Sequence, residues 1–374
     1  MSTEEKIRYA VIGLGSIAQE AVLPAFQHAE NSKLVALVSG DKEKRQKLGQ
    51  TYNSRTYTYD QYEDCLSGGD VDAVYICLPN HLHRQYAEAA ARHGIHILCE
   101  KPLAPNEADC RAIIAAAEEH NVKLMTAYRL HFEEANLEAA RLCESGELGD
   151  PRMFVSAFCQ QVAKDNVRLR EPIARGGGPL FDMGIYCINA ARYLFRDEPV
   201  EVFAARAHNG DKRFEKSEEM VSVILRFPED RLATFTVSFG AMPVARYSVI
   251  GTAGTLNLES AYEYATNIPM TVNIGGRVSE RVFQKRDQFA AELLYFSDCI
   301  RQQKEPEPSG KEGLIDVQII AAAYQSAQEG RTIQIHSERR HRRMDTSQQI
   351  DRPPVDEPEL INAQMPSGKS HKKE

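Results

Sequence analysis

A glycine-rich turn near the start of the chain has the residue types that bind a nucleotide. Residues 9–12 are apolar, which is typical of a short buried strand. The turn after them spells G-x-G-x-x-A, and the contacts expected there are Gly13, Gly15, Ser16, Ile17 and Ala18. In this pattern the first glycine permits a tight bend, the second leaves room for a pyrophosphate, and the alanine lets helix and strand pack closely. The strand–turn–helix context predicts a dinucleotide site; a plain turn with two glycines is the alternative.

Three later residues, Lys101, Asp182 and Tyr186, are the candidate catalytic groups. Lys101 comes directly after an apolar run in which a buried strand is expected to end. Asp182 and Tyr186 lie on a predicted helix that opens after the G-G-G-P stretch at 176–179. They are four residues apart and therefore share one helix face, with Asn189 three residues further along it. The alternative is a half-buried helix whose tyrosine packs in the core.

Strands that alternate with helices are expected to position these groups in the first third of the chain. Predicted strands cover residues 9–12, 33–38, 73–78, 95–99 and 123–127, and a predicted helix covers about 106–120. Such alternation implies a parallel, doubly wound sheet of the α/β class. Ligands in such sheets bind beyond the carboxyl ends of the strands, and Lys101 lies at one of these ends.

The pattern changes at Pro151. Strand candidates follow at residues 152–160, 200–207, 220–227, 232–239, 246–251 and 255–258, and two late helices at about 287–303 and 311–329. This succession predicts an open, mainly antiparallel sheet in a second domain. We therefore expect a dinucleotide-binding domain at 1–128, a substrate and oligomerisation domain at 129–336, and a polar tail at 337–374 that is disordered or extended. Because the tail shows no core residues of its own, its deletion is expected to leave the fold intact.

The end of the second predicted strand bears on the choice between NAD and NADP. An NAD site usually places an acid there to bond the ribose 2′-hydroxyl, but this chain has Ser39. Lys44 and two further cations, Lys42 and Arg45, crowd the next turn, and a small hydroxyl beside cations suits a 2′-phosphate. We favour NADP, with NAD possible because Asp41 could still reach a ribose.

Composition excludes several classes of protein. The chain has 374 residues, enough for two domains, and its net charge of −8 argues against a nucleic-acid surface. No run of eighteen apolar residues and no signal peptide occur, so neither membrane insertion nor export is expected. The eight cysteines are scattered without a C-x-x-C pair, which indicates reduced thiols in the cytoplasm rather than disulfides or a metal site.

Five motifs in order resemble the glucose–fructose oxidoreductase / inositol dehydrogenase family: GLGSIA, PNHLH, EKP, AYR and GGGPLFDMGIYCINAARYL. The resemblance covers about Lys6 to Ile335 and implies an N-terminal Rossmann domain and a C-terminal α/β domain whose open sheet commonly forms oligomer contacts. Tyr186, where many members have histidine, resembles the glucose–fructose oxidoreductase branch, as does Ser39 with Lys44. The further cofactor contacts that the resemblance implies are Leu78, Pro79, Asn80, His83, Glu100, Lys101 and Arg129.

The resemblance also implies an activity, in which a hydride moves between a nicotinamide and a sugar or polyol. Tyr186 is then expected to exchange the hydroxyl proton, and Asp182 to orient the substrate. A free tyrosine has a pKa near ~10, and a nearby ammonium such as that of Lys101 stabilises tyrosinate. A glycoside hydrolase with transient redox chemistry and a non-catalytic sensor are the alternatives. A homodimer or homotetramer through the C-terminal sheet is expected.

Overall fold

Six parallel strands form the first sheet, as the alternation of strands and helices predicts. In the computed structural model, which describes residues 5–338 and 342–365, they are β1 (Ile7–Ile12), β2 (Ser32–Val38), β3 (Arg55–Tyr57), β4 (Ala73–Ile76), β5 (His96–Glu100) and β6 (Leu124–Ala127). Their order is β3-β2-β1-β4-β5-β6, so the chain runs outward in both directions from β1. The gap between β1 and β4 is the switch point at which such sheets bind ligands, and the glycine turn follows β1 there.

Short helices connect these strands and cover both faces of the sheet. They are α1 (Leu23–Ala25), α2 (Lys42–Thr51), α3 (Tyr62–Ser67), α4 (His83–Arg92) and α5 (Glu107–Glu119). The helix predicted after the glycine turn begins with a π-helical turn, Ala18–Val22, before α1. The side chain of Asn106 caps α5 by accepting a hydrogen bond from the N–H of Asp109 at 2.9 Å. The three residues of β3 were not predicted as a strand, because so short a segment carries no periodic pattern.

Nine strands form the second sheet, which is mixed but mainly antiparallel. They are β7 (Pro151–Gln161), β8 (Glu201–Ala207), β9 (Met220–Phe227), β10 (Arg231–Ser238), β11 (Gly240–Gly251), β12 (Gly254–Leu258), β13 (Ile268–Ile274), β14 (Arg277–Phe283) and β15 (Ile333–Gln334). The order is β14-β13-β12-β11-β7-β10-β9-β8-β15, and β7 pairs with β10 in parallel. The last three strands were not predicted; in β14 Phe283 alone is buried, so no alternation marks it.

One face of the second sheet is covered and the other is open. The covered face packs on α6 (Glu134–Glu144), α7 (Ile185–Phe195) and α9 (Gly310–Glu329), and α6 was also missed from the sequence. On the open face Phe203, Ile224, Thr234 and Val155 pair across four adjacent strands. The three apolar members of that row are each at least 40% exposed. This row supplies the apolar surface on which the predicted oligomer would depend.

The last two helices join the domains. Phe289, Leu293 and Phe296 of α8 (Gln288–Arg301) pack in the same cluster as Tyr9 and Leu37 of the first sheet. The side chains of α9 are divided between the cores of both domains. The domain boundary at residue 128 therefore remains a prediction. The packing does not divide at that residue, because α8 lies far beyond it in the sequence and yet completes the core of the first sheet.

The described part of the tail, residues 342–365, lies along the body of the protein; residues 339–341 and 366–374 of the predicted tail lie outside the described residues. Met344 is 1% exposed, and Arg343 is buried with its guanidinium 2.6 Å from Glu198. Gln348 donates to the carbonyl of Glu307 at 2.8 Å. The expectation that the tail has no core residues is therefore wrong: a deletion that begins at Ser337 would remove a buried cation and a buried methionine.

Three further findings concern the cysteines, membrane insertion and metal binding. All eight cysteines are free. Within residues 5–338 and 342–365, no helix is long and apolar enough to cross a bilayer, and no group of three or more His, Cys, Asp or Glu side chains could hold a metal ion.

Candidate active site

A cleft of about 640 Å³ lies between the two domains, beyond the carboxyl ends of the first sheet. Its volume is within the range of small-molecule and cofactor sites. Fourteen of the sixteen residues predicted for the site line it, namely Gly13, Gly15, Ser16, Ile17, Ser39, Lys44, Leu78, Pro79, Asn80, Glu100, Lys101, Arg129, Asp182 and Tyr186. The sequence stretches that carry these residues therefore converge as the pattern predicts.

The glycine turn has the geometry that its pattern requires. Gly13 has a φ of +92°, and a Cβ there would lie 2.6 Å from the carbonyl oxygen of Cys77, so only glycine fits. A Cβ on Gly15 would meet no atom within 4 Å, which leaves open space above the backbone where a pyrophosphate would approach. Ala18 is fully buried and lies outside the cleft lining, in keeping with its predicted packing role.

The corner after β2 carries the groups that bear on NAD or NADP. Asp41 caps α2 by accepting from the N–H groups of Glu43 at 2.9 Å and Lys44 at 3.1 Å. The acid closest to Ser39 in the sequence is therefore engaged with backbone and directed toward the helix. Lys44 lines the cleft half-buried, and burial lowers the pKa of its ammonium.

Lys101 and Asp182 meet at the other end of the cleft. The Lys101 ammonium donates to the Asp182 carbonyl at 2.8 Å and to its carboxylate at 3.2 Å. The second carboxylate oxygen of Asp182 lies 2.7 Å from Nε of Arg168. Burial alone would raise the pKa of Asp182, but the charges of Arg168 and Lys101 outweigh it and lower the pKa to about 2. Asp182 is thus ionised at neutral pH and lies between two cations.

Tyr186 lies beside this pair with two cations facing its ring. The Lys101 ammonium is 4.8 Å from the ring centroid and the Arg129 guanidinium is 5.0 Å from it. Arg129 is held by bonds to the side chain of Gln288 and the carbonyl of Tyr262. Positive charge from both groups stabilises any negative charge that develops on the phenol.

A buried carboxyl pair lies behind Lys101. The Tyr75 hydroxyl is 3.1 Å from a carboxyl oxygen of Glu100 and 3.1 Å from one of Glu292. The single hydroxyl hydrogen of Tyr75 can be donated to only one of these carboxyl oxygens at a time. Burial raises the pKa of Glu292 well above its ordinary value, and the neighbouring Glu100 raises it further.

Two more residues singled out from the sequence, besides Ala18, lie away from the cleft. His83 is fully buried, and its ring bonds to the carbonyls of Leu78 at 2.8 Å and Pro102 at 3.1 Å. It therefore holds together the two loops that border the cleft instead of contacting a ligand. Asn189 is also buried and donates to Glu312 at 3.0 Å and to Asp316 at 2.9 Å, so it belongs to a buried polar cluster.

The G-G-G stretch before Asp182 borders the cleft and is also packed closely against other parts of the chain. A Cβ on Gly177 would lie 1.9 Å from the Glu171 carbonyl oxygen, and Asn80 donates to the Gly176 carbonyl at 2.7 Å. The bond from Asn80 ties the two domains together, and the close approach of Gly177 to Glu171 fixes the start of the helix. Asp182 lies in a π-helical turn, Leu180–Gly184, and Tyr186 in α7, and both still face Lys101 as predicted.

Among the cleft residues that sequence reasoning missed are Arg168, Tyr264 and Glu292. Arg168 lies in a polar loop without a motif, and Glu292 lies on a helix that is distant in sequence. No local signal could have found them, because only the folded chain brings these segments to the cleft.

A glycine turn at a topological switch point, with a lysine, an aspartate and a tyrosine at the far end of the same cleft, defines a Rossmann-type dinucleotide-dependent oxidoreductase. The family description "Oxidoreductase family, NAD-binding Rossmann fold" matches residues 7–128, and "GFO/IDH/MocA C-terminal domain" matches residues 136–257. The chain belongs to the GFO/IDH/MocA family of oxidoreductases, as the five motifs predict.

Several relatives are similar over most of their length. D-xylose 1-dehydrogenase (NADP(+)) of Haloarcula marismortui is 30% identical, over 89% of this chain and 94% of that protein. 1,5-anhydro-D-fructose reductase of Ensifer adhaerens is 27% identical, over 88% of this chain and 99% of that protein. The crystal structure of aldose-aldose oxidoreductase from Caulobacter crescentus is 38% identical, with a TM-score of 0.84, and the match covers 88% of this chain and 100% of that one.

Proposed function

We propose that the protein is an NADP-dependent oxidoreductase that transfers a hydride between the nicotinamide and a hydroxyl-bearing carbon of a sugar or polyol. The observation that carries this proposal is the meeting of two groups from different domains in the cleft that begins at the glycine turn: the Lys101 ammonium lies 4.8 Å from the ring centroid of Tyr186. When bound, the cofactor supplies or accepts the hydride. The names of the relatives, which include sugar dehydrogenases and reductases, support the substrate class.

The residues present fit such a cofactor. The open space above Gly15 suits a pyrophosphate. At the corner after β2, Ser39 offers a hydroxyl and Lys44 a cation, while Asp41 is occupied as a helix cap. A 2′-phosphate is favoured there over a bare ribose hydroxyl because it meets a positive charge while the nearest acid in the sequence is engaged elsewhere.

Proton transfer falls to Tyr186. In the oxidative direction its phenolic oxygen accepts the hydroxyl proton of the substrate, and in the reductive direction it returns that proton. Lys101 stabilises the charge that develops on the phenol, and Asp182 fixes Lys101 by two hydrogen bonds. Because Arg168 holds the other oxygen of Asp182, the carboxylate is oriented before a substrate arrives.

A sugar panel with both cofactors tests the proposal. Purified protein is incubated with aldoses and polyols plus NADP⁺ or NAD⁺, and the absorbance of the reduced nicotinamide is followed. A second arm adds two sugars without free cofactor, because oxidation of one coupled to reduction of the other is the glucose–fructose oxidoreductase-like form of this activity. Release of an aglycone from glycosides without net cofactor change would instead indicate a hydrolase. Nucleotide binding without any turnover would indicate a sensor.

We also propose a homodimer or homotetramer formed through the open face of the second sheet. The support is the exposed row of Phe203, Ile224 and Val155 on adjacent strands. A cytoplasmic location is proposed from the eight free cysteines, which suit a reducing compartment.

A further inference from the structure

The tail returns to the dinucleotide-binding domain after its buried anchor at Arg343–Gln348. Arg352 donates to the carbonyl of His28 at 3.1 Å and to the carboxylate of Glu30 at 2.5 Å. Further along, the backbone of Ile361 forms a reciprocal pair with the side-chain amide of Gln19. The amide accepts from the Ile361 N–H at 2.8 Å and donates to the Ile361 carbonyl at 2.9 Å. Gln19 lies just past the glycine turn, so the tail is fixed at the edge of the predicted pyrophosphate site.

The next residue reaches the corner after β2. The side-chain amide of Asn362 donates to the carboxylates of Asp41 and Glu43, each at 3.0 Å. Both acids lie beside Lys44, the cation proposed for the 2′-phosphate. Asn362 therefore holds in place the two carboxylates that are closest to Lys44 in the sequence.

Three residues later the tail contacts the opposite domain. Met365 lines the cleft, and its carbonyl accepts a hydrogen bond from the side chain of Asn166 at 2.9 Å. Asn166 is 2% exposed and lies in the loop after β7 that also supplies Arg168. Residues 361–365 thus run from one side of the cleft to the other.

We propose that this segment, residues 361–365, is part of the cofactor site: it spans the cleft over the bound dinucleotide and slows the release of the cofactor. The inference rests on the proposed function, since it needs a dinucleotide in the cleft. Reduced or oxidised NADP leaves only when the segment detaches from Gln19 or from Asn166. The upstream anchor at Arg343–Gln348 includes buried side chains while most of residues 353–365 are exposed or half-buried, so the segment can detach without loss of the anchor.

Truncation after Pro358 tests the proposal directly. The shortened chain retains Arg343, Gln348 and Arg352 and loses every contact of the segment with the cleft. Each protein is loaded with NADPH and mixed in a stopped-flow instrument with excess NADP⁺, and the loss of NADPH fluorescence gives the release rate. We expect release to be at least ~10-fold faster for the truncated protein, and a few-fold faster for Asn362→Ala. Gln349→Ala, an exposed change upstream in the tail, is the matched control and leaves the rate unchanged.

Protection of the tail from proteolysis is a second and independent readout. Because the segment is proposed to slow release by stabilising the bound cofactor, the cofactor must stabilise the closed segment by the same binding free energy. A glutamate-specific protease cleaves after Glu359, and mass spectrometry follows the loss of residues 360–374. NADPH is expected to slow this cleavage severalfold in the full-length protein.

The outcomes separate the two proposals. Equal release rates in the full-length and truncated proteins, or cleavage after Glu359 that NADPH does not slow, would overturn the role of the segment while leaving NADP-dependent chemistry intact. Failure of the full-length protein to bind NADPH at all would overturn both. Thermal unfolding of the nucleotide-free truncated protein checks its folding, and if that protein is unfolded, Asn362→Ala decides the question alone.

Discussion

Replacement of Asp182 by asparagine should remove a pH-dependent contribution to stability. The Asp182 carboxylate lies 3.2 Å from the Lys101 ammonium and 2.7 Å from Arg168, and its pKa is lowered to about 2. A lowered folded-state pKa means that the ionised form is bound more tightly in the folded than in the unfolded protein. This stability is present above the unfolded pKa and is lost as the pH falls through the folded one.

The magnitude follows from the two pKa values. Lowering the pKa of Asp182 from 3.8 to about 2 corresponds to about 2.5 kcal/mol of folding stability at neutral pH, at ~1.4 kcal/mol per pH unit. About half of that stability should be gone by pH 3, because the unfolded carboxylate is then mostly protonated while the folded one is not. The variant Asp182→Asn supplies the neutral reference, in which Lys101 and Arg168 lose their shared anion at every pH.

Urea unfolding at pH 7, 5, 4 and 3 measures this contribution without a substrate. The free energy of unfolding of wild type should exceed that of Asp182→Asn by ~2–3 kcal/mol at pH 7, and the gap should narrow steadily below pH 4. Asp150→Asn, an exposed aspartate away from the cleft, is the control and should show no such trend. If the difference in free energy of unfolding between wild type and Asp182→Asn stays constant from pH 7 to pH 3, the reasoning is refuted. The destabilisation by the substitution would then be independent of the ionisation of Asp182.

Three further predictions concern catalysis, cofactor choice and assembly. Tyr186→Phe and Lys101→Ala should each lower kcat by ~10²–10⁴-fold, and the double variant should be little worse, as expected of groups that act together; near-wild-type kcat for Tyr186→Phe would show that the tyrosine only packs. Ser39→Asp should weaken NADP⁺ binding in a fluorescence titration and leave NAD⁺ binding equal or tighter. If the wild-type protein already binds NAD⁺ more tightly than NADP⁺, the role proposed for Lys44 is contradicted. Val155→Asp on the open sheet face should dissociate the oligomer in light scattering; a wild type that is monomeric at micromolar concentration would end that idea.

The sequence predicts the cleft best where chemistry is concentrated in short motifs. The glycine turn, Lys101 and the Asp182–Tyr186 spacing each combine a local pattern with a predicted strand or helix end, and all of them line the cleft. Arg168 illustrates the opposite case. It lies in the short 3₁₀ turn Val167–Leu169 and reaches Asp182 only in the folded chain, and no periodicity marks it.

Residues within one motif can also diverge in space. His83 follows Asn80 by three residues in PNHLH, yet Asn80 lines the cleft while His83 is buried behind it against two carbonyls. Asn189 lies about one helical turn beyond Tyr186 in α7, but its side chain belongs to a buried polar cluster that includes Glu312. A motif therefore predicts where a segment lies, and packing decides which of its side chains reach the ligand.

The return of α8 to the first sheet has a consequence for protein engineering. A gene fragment that ends at residue 128 would encode all six strands but would leave Tyr9 and Leu37 without the helix that covers them. Such a fragment should be insoluble when it is expressed alone. Exchange of the nucleotide domain for that of a relative therefore cannot be made with one junction near residue 128. The donor must also supply the equivalent of residues 288–301. This second segment adds two further junctions inside the coding sequence of the recipient.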